Sequence, residues 1–365
     1  MLSKVGTNTA MSGMADSLKK YLKHEVYYFD ILGEFSNHND GKNLYINFIK
    51  INHLVPNTGK LSKFLIFFFS ILSLPFLTQQ IYKKKTDVII TGLVGFIPCI
   101  MKLFFPKLII INSIQGYPKF NFLRKIIWKT FYKNSDFLIT MTKKTKSQIQ
   151  KTISISDNKI LVIENPVISK NIKILSKQDI DINEKFIFDK DVYCSIGRLT
   201  HQKNYFELLN FIKDIDLNNK NFNLIIIGEG EQKKNLENFI TKNNLKNCFL
   251  LGFKKNPFSY LARSKLYIST SLWEEPGHTL LEAGYLNIPI LSSNCPNGPD
   301  EIIQNNFNGL KYESGNKNDF LDKIKEFNNL SKSTKKELSI NMKKIVKNYT
   351  QLRFCKNFSK IFQKF

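Results

Sequence analysis

Residues 192–203 read VYCSIGRLTHQK and residues 266–286 read LYISTSLWEEPGHTLLEAGYL. Each opens on a short β-branched or aromatic run, crosses a polar turn and continues with the apolar spacing of a helix. Working outward from these two units, further strand candidates appear at 25–31, 87–91, 108–113, 136–142, 159–164, 223–228, 248–252 and 288–293. Helix-like stretches at 10–23, 120–133, 203–213, 231–243 and 276–286 lie between most of them. Strand–helix–strand order with buried, Ile-rich strands predicts parallel sheets covered on both faces. The polar stretch 168–190 separates two such sets, so the expectation is two doubly wound α/β domains. At 365 residues the chain has the length for two.

The turns carry the chemistry. Gly197 ends the strand 192–196, where a ligand can approach the backbone closely, and Arg198 and Lys203 follow on the strand-to-helix turn. Two fixed cations over strand ends suit a diphosphate, although a solvated basic loop reads the same way. In 271–286, Pro276 suits a first helical turn. The N–H groups of Gly277, His278 and Thr279 would then face an anion above the helix start. Glu274 stands just before that helix and Glu282 about two turns in, and carboxylates accept paired hydrogen bonds from vicinal sugar hydroxyls. Together these describe a site for a nucleotide-activated sugar; an N-capped surface helix with two solvated acids is the plain alternative. Gly228-Glu229-Gly230 is a bare GxG and supports only a turn.

Composition narrows the class. The net charge of +24 excludes an acidic tail protein, and a hydrophobic fraction of 42% excludes a disordered chain. Only Arg124, Arg198, Arg263 and Arg353 are arginines, so part of the charge reflects a lysine-rich codon bias. Residues 1–175 hold 25 basic and 9 acidic side chains, against 29 and 21 in 176–365, which makes the first half the candidate for an anionic membrane surface or nucleic acid. Base-reading motifs are lacking, so specific nucleic-acid binding is not expected. Five widely spaced cysteines (Cys99, Cys194, Cys248, Cys295, Cys355) form no CxxC pair, and MLSKVGTNTAMSGM lacks a secretory core; both point to a reducing, cytoplasmic setting.

One segment, FLIFFFSILSLPFL at 64–77, is apolar throughout and flanked by Lys63 and by Lys83, Lys84 and Lys85. Fourteen residues of helix span about 21 Å, short of a hydrocarbon core of about 30 Å. It reads as a buried core helix ending near Pro75, or as a helix lying in a membrane interface. The stretch 122–133, FLRKIIWKTFYK, interleaves cations with apolar residues and fits the second reading, while a solvated face over a core helix accounts for it almost as well; residues 63–85 and 122–133 are the candidate peripheral membrane contact.

GRLTHQK at 197–203, the spacing of Glu274 and Glu282, and SSNCPNGPDEI at 292–302 resemble the retaining glycosyltransferases of family 4, of the bacterial surface-glycan type. Lys85–Ile90 and Glu164–Val167 resemble the same family more loosely. The resemblance implies the GT-B architecture, two Rossmann-like domains facing across a cleft. The expected division is an acceptor-side domain at 1–170, a linker at 171–190, a donor domain at 191–348 and a C-terminal helix at 349–365 crossing back. It implies a UDP- or GDP-linked sugar as donor, a glycan or lipid-linked acceptor, and no metal or other cofactor. Arg198, Lys203 and Glu274 become the catalytic residues, with Gly197, Gly277, His278, Thr279 and Glu282 binding the donor. The pathway implied is synthesis of lipopolysaccharide, capsule or another surface polysaccharide, at the cytoplasmic face of the inner membrane.

Two departures stand out. Family members open with a strand several residues before a Gly-rich turn, but only Met1–Val5 precede Gly6, which implies either an upstream start or a compromised first sheet. Gln115 stands where a sugar-contacting His often follows the third strand. The alternatives are a nucleotide-sugar epimerase or phosphorylase of the same fold, a non-catalytic basic binding protein, or a truncated inactive homologue.

Overall fold

The structure, a computed structural model, describes residues 6–32, 44–49, 60–92, 94–118, 120–218 and 222–363. The chain divides into two units, one formed by 1–167 with 351–365 and the other by 168–350. In the first unit β1 (Tyr27–Asp30) and β2 (Leu44–Asn47) pair in parallel. A second parallel sheet runs β3 (Val88–Thr91), β4 (Ile109–Ser113), β5 (Phe137–Thr140) and β6 (Ile160–Val162), in that order. Ile110, Ile111, Leu138 and Ile139 are fully buried, as consecutive residues of one strand must be when both faces of a sheet are covered.

The helices that precede and connect these strands are α1 (Gly6–Leu22), α2 (Lys60–Leu72), α3 (Leu74–Lys84), α4 (Phe96–Met101), α5 (Phe122–Thr130) and Lys143–Ile153. Thr142 caps the last of these by accepting from Thr145 N at 3.2 Å. The C-terminal helix Gln351–Phe362 belongs to this unit: Phe354, Phe358 and Ile361 pack with Met14 and Leu18 of α1 against Ile111 and Ile139. Met1–Val5, on which the expectation about the opening strand turns, lie outside the described residues.

The second unit holds β7 (Asp191–Ile196), β8 (Phe222–Ile227), β9 (Cys248–Gly252), β10 (Leu266–Ser269), β11 (Ile290–Ser293) and β12 (Leu310–Tyr312). They form one sheet in the order β12-β11-β10-β7-β8-β9, every neighbouring pair parallel. All six residues of β8 are buried, so its apolar run marks a central strand. The order reverses between β7 and β10, and in such sheets the crevice for a ligand opens at the carboxyl ends of the two strands flanking the reversal.

Two expectations need correction. Residues 171–190 are built into the second unit instead of linking it. Lys170–Leu175 and Ile182–Asp189 are helical, Ile172, Ile180 and Ile187 are buried, and Asn223 Nδ2 donates to Ile187 O at 2.6 Å. Their polarity misled because only every few residues turns inward. The apolar segment 64–77 is not one core helix ending near Pro75. It breaks at Ser73, Pro75 sits in the first turn of α3, and the two helices are bent by 51°. Much of α2 faces outward.

Phe358→Ala empties a position of the first unit that is wholly buried. Chemical denaturation is expected to show a loss of about 3–5 kcal/mol; a loss below about 1 kcal/mol would mean the C-terminal helix does not complete that core.

Candidate functional site

Both sequence units with which the fold was read end at the reversal. β7 delivers Gly197, Arg198 and the short 3₁₀ turn His201–Lys203, and β10 delivers the loop from Thr270 to Gly277. Gln202 Nε2 donates to Trp273 O at 2.8 Å, and Leu272 N donates to Gln202 O at 2.9 Å, which clasps the two loops together. Thr270 Oγ1 donates to Lys203 O at 2.9 Å and fixes the backbone from which the lysine projects.

Lys203 Nζ forms a short ion pair with Glu274 Oε1, and Ser271 Oγ donates to the same oxygen at 2.6 Å. The two side chains are 17% and 9% exposed, so the pair is largely withdrawn from water. A Cβ added to Gly197 would come within 2.9 Å of Lys203 Cε and of the Tyr205 hydroxyl. Glycine here leaves the room in which the lysine stem crosses the strand end.

The helix that follows, His278–Tyr285, starts from Gly277 at φ +98°, a conformation that favours glycine. The first N–H groups of a helix have no carbonyl within it to bond, and its dipole favours an anion there. Thr279 Oγ1 shares a 2.6 Å hydrogen bond with the Tyr267 hydroxyl, which ties the helix start to β10. His278 Nε2 is buried without a partner. Burial holds the imidazole down at about 4, the Glu274 charge opposing and the Lys203 charge adding to the fall. Burial pushes the Glu282 carboxyl up to about 7, partly offset by Lys203.

Lys203 thus pairs with Glu274, and its charge acts on the buried His278 and Glu282. Arg198 sits on the same turn with its side chain exposed. Sequence reasoning missed Gln202, Thr270 and Ser271, whose roles are hydrogen bonds that carry no spacing signature. It also missed Asn297, which donates to Glu275 Oε2 at 3.1 Å and holds the 292–302 segment to this loop. Among the described residues no three His, Cys, Asp or Glu side chains gather as a metal site.

The first unit has its own cavity of about 200 Å³, lined by Gly92, Asn112, Ser113, Gln115, Trp128 and Tyr132 at the carboxyl ends of β3 and β4. Gln115 Nε2 donates to Ser113 Oγ at 2.6 Å, and Asn165 Nδ2 donates to Gln115 Oε1 at 2.8 Å, so its amide is held at the cavity wall. Trp128 and Tyr132 stack with centroids 4.4 Å apart.

These features define the class: an α/β protein of GT-B architecture whose second unit is doubly wound around a charged switch point. Residues 176–348, the second unit except at its first few and last few positions, match the family model of Glycosyl transferases group 1. An uncharacterised glycosyltransferase of Methanocaldococcus jannaschii is 36% identical over 196 residues, 53% of this chain and 48% of that protein. The chain therefore aligns with about half the length of that relative. The N-acetylgalactosamine-N,N'-diacetylbacillosaminyl-diphospho-undecaprenol 4-alpha-N-acetylgalactosaminyltransferase of Campylobacter jejuni is 27% identical over 270 residues, covering 70% of this chain and 71% of the enzyme. In structure, Anabaena HepE in complex with UDP superposes with a TM-score of 0.79 at 15% identity, over 99% of this chain and 97% of that one.

The Glu282 carboxyl makes stability depend on pH with a definite sign. Above the unfolded value near 4.5 the unfolded chain loses its proton while the folded one keeps it up to about 7. Its contribution is therefore present below about 4.5 and is lost as pH rises through about 7. Urea denaturation between pH 5 and pH 8 is expected to show Glu282→Gln gaining on the wild type as pH rises, then levelling off. Parallel curves would contradict the buried environment.

Proposed function

We propose that the protein transfers a sugar from a nucleoside-diphosphate sugar to a glycan or lipid-linked acceptor, with retention of anomeric configuration, in the synthesis of a surface polysaccharide. The observation that carries this reading is the placement of Lys203 and Glu274 on the two loops flanking the strand-order reversal. The group 1 domain spans the residues that form this site.

The donor lies over the carboxyl ends of β7 and β10. Its diphosphate meets Lys203, Arg198 and the backbone start of the helix at His278. As the glycosidic bond breaks, negative charge grows on the departing phosphate. A fixed cation there favours the transition state over the ground state. Glu282, its carboxyl raised to about 7 by burial, accepts from ribose hydroxyls, and Glu274 holds a hydroxyl of the sugar. His278, neutral near pH 7, accepts from a sugar hydroxyl without adding charge. The leaving phosphate takes the acceptor's proton, so no metal is required.

UDP or GDP carries the sugar, in keeping with the UDP in the HepE complex. The undecaprenol-linked substrate in the name of the Campylobacter relative supports a lipid-linked acceptor. Its polar saccharide suits the first-unit cavity, where Trp128 and Tyr132 offer an aromatic wall and Gln115 an amide. Such chemistry belongs to the cytoplasmic face of a membrane, where nucleotide sugars are made.

The test supplies UDP- and GDP-sugars with undecaprenyl-diphosphate saccharides and reads product by NMR. The expected product keeps the donor's anomeric configuration, and Lys203→Ala lowers kcat by about 100-fold or more with the fold intact. Inversion would overturn the retaining reading. Donor conversion without acceptor, or dependence on inorganic phosphate, would identify an epimerase or a phosphorylase instead.

A further inference from the structure

We propose that α2, the loop after α4 and α5 form one surface by which the first unit lies on an anionic lipid bilayer. In α2 the exposed side chains are Leu61, Phe64, Phe67, Phe68, Ile71 and Leu72, and Ser70 is its buried one among those described. Leu61, Phe64, Phe68, Ile71 and Leu72 recur at helical spacing, so the apolar stripe that would face a core faces outward here. Phe64 is 62% exposed. α5 has no buried residue and presents Phe122, Leu123 and Ile126, and Leu103 and Phe104 stand out beyond α4.

α2 and α5 are joined through two aromatic contacts. Phe67 stacks on Phe96 at 5.3 Å, and Phe96 contacts Phe131 just after α5 at 6.0 Å. Exposed apolar side chains grouped in this way, unlike ones scattered singly, mark a contact site.

Charge selects the occupant. Residues 60–133 contain 12 basic side chains and a single acid, Asp87. Lys107, Lys125, Lys129 and Lys133 are exposed beside the apolar residues, and Lys83 and Lys85 close the far end of α3. A second copy would bring these like charges face to face, whereas anionic headgroups neutralise them while the Phe and Leu side chains enter the acyl boundary. α3 is bent by 51° from α2 and turns Leu77 and Ile81 into the core, so the outward apolar stripe belongs to α2. α5 also carries Trp128, whose ring lines the first-unit cavity, so a helix resting on the headgroups would hold the cavity close to a lipid-borne saccharide.

The inference rests on residues of the first unit alone and stands whether or not the sugar transfer does. Flotation of the full chain with vesicles of phosphatidylglycerol and phosphatidylethanolamine, and with pure phosphatidylcholine, tests it. The wild type is expected to float with the anionic vesicles, to be released by carbonate at high pH, and to float at least tenfold less with phosphatidylcholine. Phe64→Gln/Phe68→Gln and, separately, Lys125→Glu/Lys129→Glu are each expected to cut flotation about tenfold. Both replace exposed side chains, and circular dichroism together with thermal unfolding reports that the fold is unchanged. Three results would overturn the proposal: no flotation of the wild type on anionic vesicles, flotation unchanged in both variants, or a carbonate-resistant fraction, which would make the bent pair a membrane-inserted segment. A wild-type dimer in solution that Phe64→Gln/Phe68→Gln dissociates, with no vesicle binding, would assign the surface to a second copy.

Discussion

The ion pair between Lys203 and Glu274 is the interaction on which the second unit's site depends. Removing two charges from water is costly, and their attraction offsets the cost only with good geometry and further hydrogen bonds. Ser271 supplies one on the carboxylate, and Thr270 fixes the backbone of the lysine. Breaking the pair from one side would strand a buried charge, so the loops after β7 and β10 keep a fixed spacing. That spacing is set beneath them by the parallel register of Leu266 with Tyr193 and Tyr267 with Cys194.

The pair also organises its neighbours. A cation already engaged by Glu274 lends only part of its field to Glu282, which burial keeps near neutrality, while the same cation and burial keep His278 uncharged. The site thus presents one compensated pair, an uncharged imidazole, a carboxyl raised to about 7 and an exposed arginine. On the proposed reading, a diphosphate meets Lys203 with its partner in place, and the preorganised lysine needs no large rearrangement to share its charge.

What could be read in advance follows from physical range. β7, β8 and β10 were legible because strands buried on both faces must be continuously apolar, and all six residues of β8 are buried. Lys203, Glu274 and Glu282 were legible because their chemistry is local to a turn or helix start. β2 and β12 were missed: four and three residues long, with Lys311 in the middle of β12, they lack a run long enough to register. The clasp of Gln202 on Trp273 joins residues 71 apart in the chain and leaves no local pattern. The segment 171–190 misled because a surface-lying helical stretch with a few inward Ile residues has the composition of a linker. Apolarity alone also could not say whether α2 faced in or out; the packing of Ser70 inward decides it.

The most direct measurement is calorimetric titration of the full chain with UDP, GDP and ADP, repeated on Lys203→Ala with its fold checked by circular dichroism. The account predicts selective binding of one nucleoside diphosphate by the wild type and its loss in the variant. Absence of binding by the folded wild type, or equal affinity in Lys203→Ala, would contradict the assignment of the charged switch point to a nucleotide sugar.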